Sequence, residues 1–305
     1  MVIICDISAL RLHDRFARSL KPCRVSGRIL PSLGEADLAR LDVASARETL
    51  GDLHVIVPSK GERKAVGGII SHVCTTPLPP ASVQLVKSGV GVASVALCVA
   101  LMSRTLDDRR LIRFLYELCA TYRVNDYLHA YKPLANRDGL RTELMELREF
   151  QSSGRVLGLL DYVADGSASP RETDLAMLAW LPHRLGGYGL PLGMMNTVLR
   201  VGASERRCDL LFPRARVGVE YDSDELHSEE ADISHDSARR TSLENKGYRI
   251  VQVTNGELRD GKLSFEAMRL IGRHLGLRVR VPRGKNILAR EKLLRFVNTR
   301  HVSLF

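Results

Sequence analysis

Two short apolar runs, CDLLFP and RVGVEYD, lie side by side within Cys208–His227 and constrain the fold more than any other stretch of the chain. They read as neighbouring strands joined by a tight turn. Acids stand among their apolar residues: Asp209, Glu220 and Asp222. An ionised carboxylate taken out of water without a partner is costly. These acids therefore sit at exposed strand ends, or something positive meets them. Residues two apart on a strand face the same way, so Glu220 and Asp222 share a face, and hairpin pairing brings Asp209 alongside. Three hard oxygen ligands of this kind suit Mg²⁺ or Mn²⁺. Such an ion activates a water and neutralises charge on a phosphoryl group. On spacing alone, three solvated acids at a hairpin is the simpler reading.

The surrounding pattern is α/β. Before the hairpin, SPRETDLAMLAWLPHRL has Ser169 as a helix N-cap, Pro170 at the first helical position and Glu172 where a capping box places its acid. MNTVLRVG pairs with RRCDLLFP across a break near Gly202. After the hairpin come DISHDSARRTSLENKG, an amphipathic helix closed by Gly247, the strand YRIVQVT and the helix SFEAMRLIGRHLG. Helix, strands, helix, strand, helix over residues 151–276 describes one compact α/β domain. Residues 1–150 read as a smaller α+β domain, with strands at LHVIVP and GGIISHV and a helix over Asp107–Tyr122. His72 in the second of these strands reads as a strand-end structural histidine. SKGERK, residues 59–64, reads as a solvated basic turn.

Charge is concentrated at one end of the chain. The net charge is +10. Residues 262–305 hold 11 Lys and Arg against 2 Asp and Glu, so 11 − 2 = +9 lies in this stretch. A polyanion is the expected partner. In the basic extension 277–305, Arg278 and Arg280 alternate with Val279 and Val281, Arg283 and Lys285 flank a turn, and NILAREKLLRFV forms a basic helix with Ile287, Leu288, Leu294 and Val297 available for packing. Contact with a phosphate backbone is the functional reading of these cations. The six scattered cysteines form no C-x-x-C pair, which points to a reduced, cytoplasmic compartment. The longest apolar run, Val90–Met102, is too short to cross a bilayer, so no membrane role is expected.

SPRE, CDLLFP, VGVEYDSDELH and HDSARRTSLENKGYRIVQVTNGEL, taken in that order over Ser169–Leu258, resemble the very-short-patch-repair-like branch of the PD-(D/E)XK nuclease superfamily. The resemblance implies a restriction-endonuclease-like mixed sheet flanked by helices and a metal-dependent phosphodiesterase acting on DNA. It implies that Asp209 and Glu220 hold the metal, with Asp222 where many members have Lys. It implies that Glu172 reaches the metal's outer sphere and that His227 handles a proton or touches phosphate. Asp236 and Arg239 match the helix pair beside the site, and Arg240 next to them reads as a solvated or phosphate-contacting face. Each has a structural alternative: Glu172 as a cap, His227 as a loop residue, Asp236–Arg239 as an ion pair. Residues 1–150 resemble, more weakly, the region preceding such domains in abortive-infection antitoxin-like regulators. Two departures from the family pattern stand out. No Lys follows Glu220, and SDELHSEEAD is itself acidic. A catalytically inactive nuclease fold that holds DNA, or a protein partner in a regulatory complex, is the alternative expectation.

Overall fold

The computed structural model describes the chain except for residues 17–20, 23–28, 30, 35–40, 42, 64–66, 88, 125–128, 151, 202–203, 223–246 and 304. The fold is α/β, with mixed sheets flanked by helices. It divides into two compact units that interleave along the sequence. Met1–Asp107 joins Leu134–Asp161 and Leu304–Phe305 in the first, and Asp108–Pro133 joins Tyr162–Ser303 in the second. Among the described residues no helix is long and apolar enough to cross a membrane.

The first unit is built on a six-stranded sheet. Its strands are β1 (Val2–Ile4), β2 (Lys21–Pro22), β3 (Leu53–Val57), β4 (Ile69–Val73), β5 (Val83–Lys87) and β6 (Val90–Ala93), in the order β2-β5-β6-β1-β3-β4. β1 runs parallel to β6 and β3 parallel to β4, while β1 and β3 are antiparallel. Helix α1 (Asp6–Phe16) follows β1 directly, and α2 (Val43–Leu50) precedes β3. The apolar run from Val90 is a strand that turns into a buried helix, α3 (Val95–Met102), capped by Ser94, whose side chain accepts the Leu97 N–H. A helix apolar on every side has to be enclosed. α3 packs against α1 and against α5 (Arg137–Glu146) and α6 (Ser153–Leu160).

The second unit opens with α4 (Asp108–Cys119), whose Leu111, Ile112, Leu115 and Leu118 are buried as the spacing predicts. Next come α7 (Pro170–Trp180), β7 (Met194–Val201), β8 (Ser204–Phe212), β9 (Val217–Asp222) and β10 (Arg249–Thr254). The helices α8 (Asn255–Arg259), α9 (Gly261–His274) and α10 (Lys285–Val297) complete the unit. The sheet order is β10-β9-β8-β7: a meander of three antiparallel strands, with β10 added parallel to β9. A parallel neighbour needs a crossover; of the residues between β9 and β10, 223–246 lie outside the described residues, and with them the amphipathic helix expected there. α7 packs on β8 and β9, with Trp180 edge-on to Phe212 at 6.5 Å.

The basic segment after α9 is part of this unit, and its packing corrects part of the sequence expectation. Val297 is buried and Leu294 half-buried as expected, but Ile287 and Leu288 are 48% and 55% exposed, and Arg290 and Leu293 are buried instead. α10 is turned this way by Arg290. Its Nε donates to the Gly186 carbonyl, its Nη2 donates to the Gly187 carbonyl at 2.8 Å, and its guanidinium lies 3.4 Å from the centroid of the Tyr188 ring. Gly186 has φ +97°, and a Cβ there would lie 2.3 Å from the Ala289 carbonyl oxygen, so only glycine admits α10 at this distance. A second staple is Asp174, fully buried on α7. Its carboxylate accepts from Arg113 at 2.8 Å, Arg171 at 3.2 Å and His301 at 2.9 Å.

Candidate active site

β8 and β9 pair only over Leu210–Val219, Leu211–Gly218 and Phe212–Val217. Beyond that point β9 continues to Asp222 on β10 alone, with Glu220 opposite Gln252 and Asp222 opposite Thr254. The two strands part, and Asp209 stands at the fork. Its Oδ2 accepts the Tyr221 backbone N–H at 2.6 Å, so a carboxylate occupies the place where the backbone ladder stops. On the other side of β8, pairing with β7 runs from Met195–Leu210 to Thr197–Cys208 and omits the position between, where Asn196 and Asp209 stand. Asn196 has φ +48°, a left-handed conformation that Asn tolerates better than most residues.

That irregularity ties the fork to α7. The Asn196 side-chain amide donates to Glu172 Oε2, which also accepts the Ala168 N–H at 2.8 Å. At the start of α7, Ser169 Oγ accepts the Glu172 N–H at 3.2 Å. Glu172 thus serves as a cap and also stands close enough to Asp209 to repel it electrostatically. The capping role is the one the hydrogen bonds show, and the same side chain acts on Asp209 electrostatically.

The electrostatics follow from burial and like charge. Removal from water, then the neighbouring Glu172 and Glu220, push the Asp209 carboxyl up to about 7, against the Tyr221 N–H and Arg207, which act the other way. Burial likewise raises Glu172, partly offset by Ala168, Asn196, Ser169 and Arg207. A carboxylate raised by burial and by like charge, as Asp209 is, is at ease as an anion only beside a cation. Arg207, exposed on β8, is a positive charge that lowers both.

The expected metal ligands are Asp209, Glu220 and Asp222, all half-buried. Their oxygens do not converge to within 4.8 Å of one another. Among the described residues only Asp6, His54 and His72 do so as a group of three. An oxygen set from two carboxylates still fits Mg²⁺, which keeps several waters and commonly takes one or two protein carboxylates together with substrate phosphate. Across the fork, Glu220 acts on Asp209 electrostatically.

His227, Arg239, Arg240 and Asp236 lie outside the described residues. The expected tail cations Arg278, Arg280, Arg283 and Lys285 are all exposed. Arg278, Arg280 and Arg283 line a groove of about 1050 Å³, together with Arg269 and Arg273 of α9 and His183. Sequence reading missed Asn196, Arg207, Arg269 and Arg273. The signal for Asn196 was an Asn inside an otherwise apolar strand run, a residue that strands disfavour. Comparison of the chain with protein-family models, with curated proteins and with solved structures returns no match.

Proposed function

We propose that the second unit is a metal-dependent phosphodiesterase of the PD-(D/E)XK type acting on DNA. The observation that carries this reading is the fork between β8 and β9, where Asp209 and Glu220 stand beside the buried Glu172 on α7. The order helix, three antiparallel strands and a parallel fourth strand supports it, as does the groove lined by five arginines.

A divalent ion held by Asp209 and Glu220 would supply charge neutralisation at phosphorus and a more acidic water. The chain's own residues do the rest. The Tyr221 N–H fixes the Asp209 carboxylate, so its second oxygen stays available. Asn196 and Ala168 hold Glu172 in place. Arg207 offers a guanidinium for a phosphate oxygen, a role for which its planar donor set is suited. The groove arginines track the backbone and supply affinity without sequence choice. In the reaction a water oxygen bonds to phosphorus, the P–O bond to one sugar breaks, and the leaving oxygen takes a proton.

The test is nicking of supercoiled plasmid in Mg²⁺ or Mn²⁺ by the intact chain and by Asp209→Ala and Glu220→Ala. Cleavage by the wild type alone supports the reading, and equal cleavage by all three removes the site. The second reading, an inactive nuclease fold that binds DNA, is favoured by Asp222 in place of a Lys and by the spread of the three acids. Salt-sensitive binding without cleavage is its signature. Absence of both leaves a protein partner as the function of the fold.

A further inference from the structure

In the first unit, Asp6, His54 and His72 come together from three separate segments. β1 ends at Ile4, the Cys5 N–H donates to the His54 carbonyl at 2.9 Å, and the chain turns sharply into α1. Asp6 makes that turn with φ +55°, and its Oδ1 accepts the Ile7 N–H at 2.7 Å. A non-glycine residue held in this region costs free energy and is found disproportionately at functional positions. His54 is fixed at its backbone by the first turn of α1: its N–H donates to Ser8 Oγ at 3.0 Å, and that hydroxyl donates to the Asp52 carbonyl at 3.1 Å. On the adjacent strand His72 stands level with Ile56, and His54 with Ile70. The two imidazoles therefore share one face of the sheet, one diagonal step apart.

The ligand atoms are close. His54 Nδ1 and His72 Nε2 are 2.8 Å apart, Asp6 Oδ1 is 3.7 Å from His54 Nδ1, and Asp6 Oδ2 is 3.8 Å from the other nitrogen of His72. The rings stack at 5.0 Å with 20° between their planes. Tetrahedral bonds of about 2.0 Å require donor atoms about 3.3 Å apart, so small ring rotations suffice to centre an ion. We propose that Asp6, His54 and His72 form a binding site for a divalent transition metal, Zn²⁺ first, with three protein ligands and one coordination position open to solvent.

The donor set selects the metal. Two imidazoles and one carboxylate suit Zn²⁺, Co²⁺, Ni²⁺ or Fe²⁺ and are a poor match for Mg²⁺ or Ca²⁺, which take oxygen. Within the divalent first-row series, binding strengthens towards the copper–zinc end. The site is partly sheltered, with side-chain exposures of 13% for Asp6, 15% for His54 and 30% for His72. His72 is thus the most exposed of the three, and an open position would face water on its side. Burial holds both imidazoles below their ordinary value, so at neutral pH they offer lone pairs rather than compete as cations. The carboxylate brings negative charge that a divalent ion would offset. This site lies in a different unit from the Asp209–Glu220 fork and does not depend on the nuclease reading.

The experiment uses the full chain, stripped with a chelator and dialysed. Zn²⁺ uptake is measured by competition with a chromophoric chelator, and Co²⁺ uptake by its visible ligand-field bands. Four proteins are compared: wild type, Asp6→Asn, His72→Gln, and the double variant Asp209→Ala/Glu220→Ala. Asn suits the left-handed turn and keeps an acceptor for the Ile7 N–H, so Asp6→Asn tests the charge and not the fold. His72→Gln is a second variant at the most exposed ligand. The site predicts one equivalent of Zn²⁺ in wild type and in the double variant, with affinity more than about tenfold weaker in Asp6→Asn and His72→Gln. No Zn²⁺ uptake by wild type overturns the proposal. So does uptake that is unchanged in both ligand variants, or lost in the double variant.

Discussion

The Asp209 carboxylate accepts the backbone N–H of Tyr221 at 2.6 Å, at the point where β8 and β9 cease to pair. This bond holds an acid at the open strand end, while burial, Glu172 and Glu220 set its pH behaviour against the pull of the bond itself. The Asp209 carboxyl lies at about 7, above its ordinary 3.8. A folded state that holds its proton more tightly than the unfolded chain gains stability at low pH and loses it as pH rises between those two values. At face value the rise corresponds to about 4 kcal/mol, and partial access to water reduces it to about 1–2 kcal/mol. Asp209→Asn keeps an acceptor for Tyr221 and removes the charge. In metal-free buffer its melting temperature should exceed that of wild type at pH 8, and the gap should shrink towards pH 4.

Glu172 caps α7 and stands beside the fork, and two substitutions separate these roles. Glu172→Gln retains an oxygen for the Ala168 N–H and should cost under about 1 kcal/mol, while lowering cleavage at least tenfold if the charge is used. Glu172→Ala also forfeits the cap and should cost about 1–2 kcal/mol in urea unfolding.

The basic segment divides into structural and binding arginines. Arg290→Ala removes two bonds to carbonyls and the stack on Tyr188, and should destabilise by about 2–4 kcal/mol. Arg278→Ala, Arg280→Ala and Arg283→Ala alter exposed groups and should leave unfolding within about 0.5 kcal/mol of wild type. Each should weaken DNA binding and lower the slope of log affinity against log salt by about 1. Fluorescence anisotropy on a duplex across a salt series reads both.

Asp174 has no exposure and three cationic or imidazole partners. Asp174→Ala leaves Arg113, itself largely enclosed, without its carboxylate. Loss of one partner from a buried pair costs about 3–5 kcal/mol, so this variant should unfold at markedly lower denaturant, with no change in the salt slope.

The second unit's architecture was legible because its signals are local. Ser169-Pro170 announces α7, strand alternation gives β7 to β10, and the acids at 209, 220 and 222 stand out from apolar neighbours. What the sequence hid depends on contacts remote along the chain. Nothing near Arg290 says that it binds Gly186 and Gly187, so the sequence places Ile287 and Leu288 in a contact that Arg290 and Leu293 make. Asn196 stands in a strand run as a residue that strands disfavour, and its left-handed turn is what reaches Glu172. Asp6, His54 and His72 have no common spacing, and His72 alone reads as structural until β3 and β4 bring His54 beside it. The division of the chain follows the same rule: residues 108–133 join the second unit and 134–161 the first, an exchange set by packing rather than by any break in composition.

The most direct measurement of the central claim is Mn²⁺ titration of His72→Gln, in which the imidazole site is disabled, followed by calorimetry at neutral pH. Saturable binding near one equivalent is expected, and it should disappear when Asp209→Ala is added to the same protein. Binding that is absent from the start, or indifferent to the loss of Asp209, contradicts an acid fork made for a divalent ion.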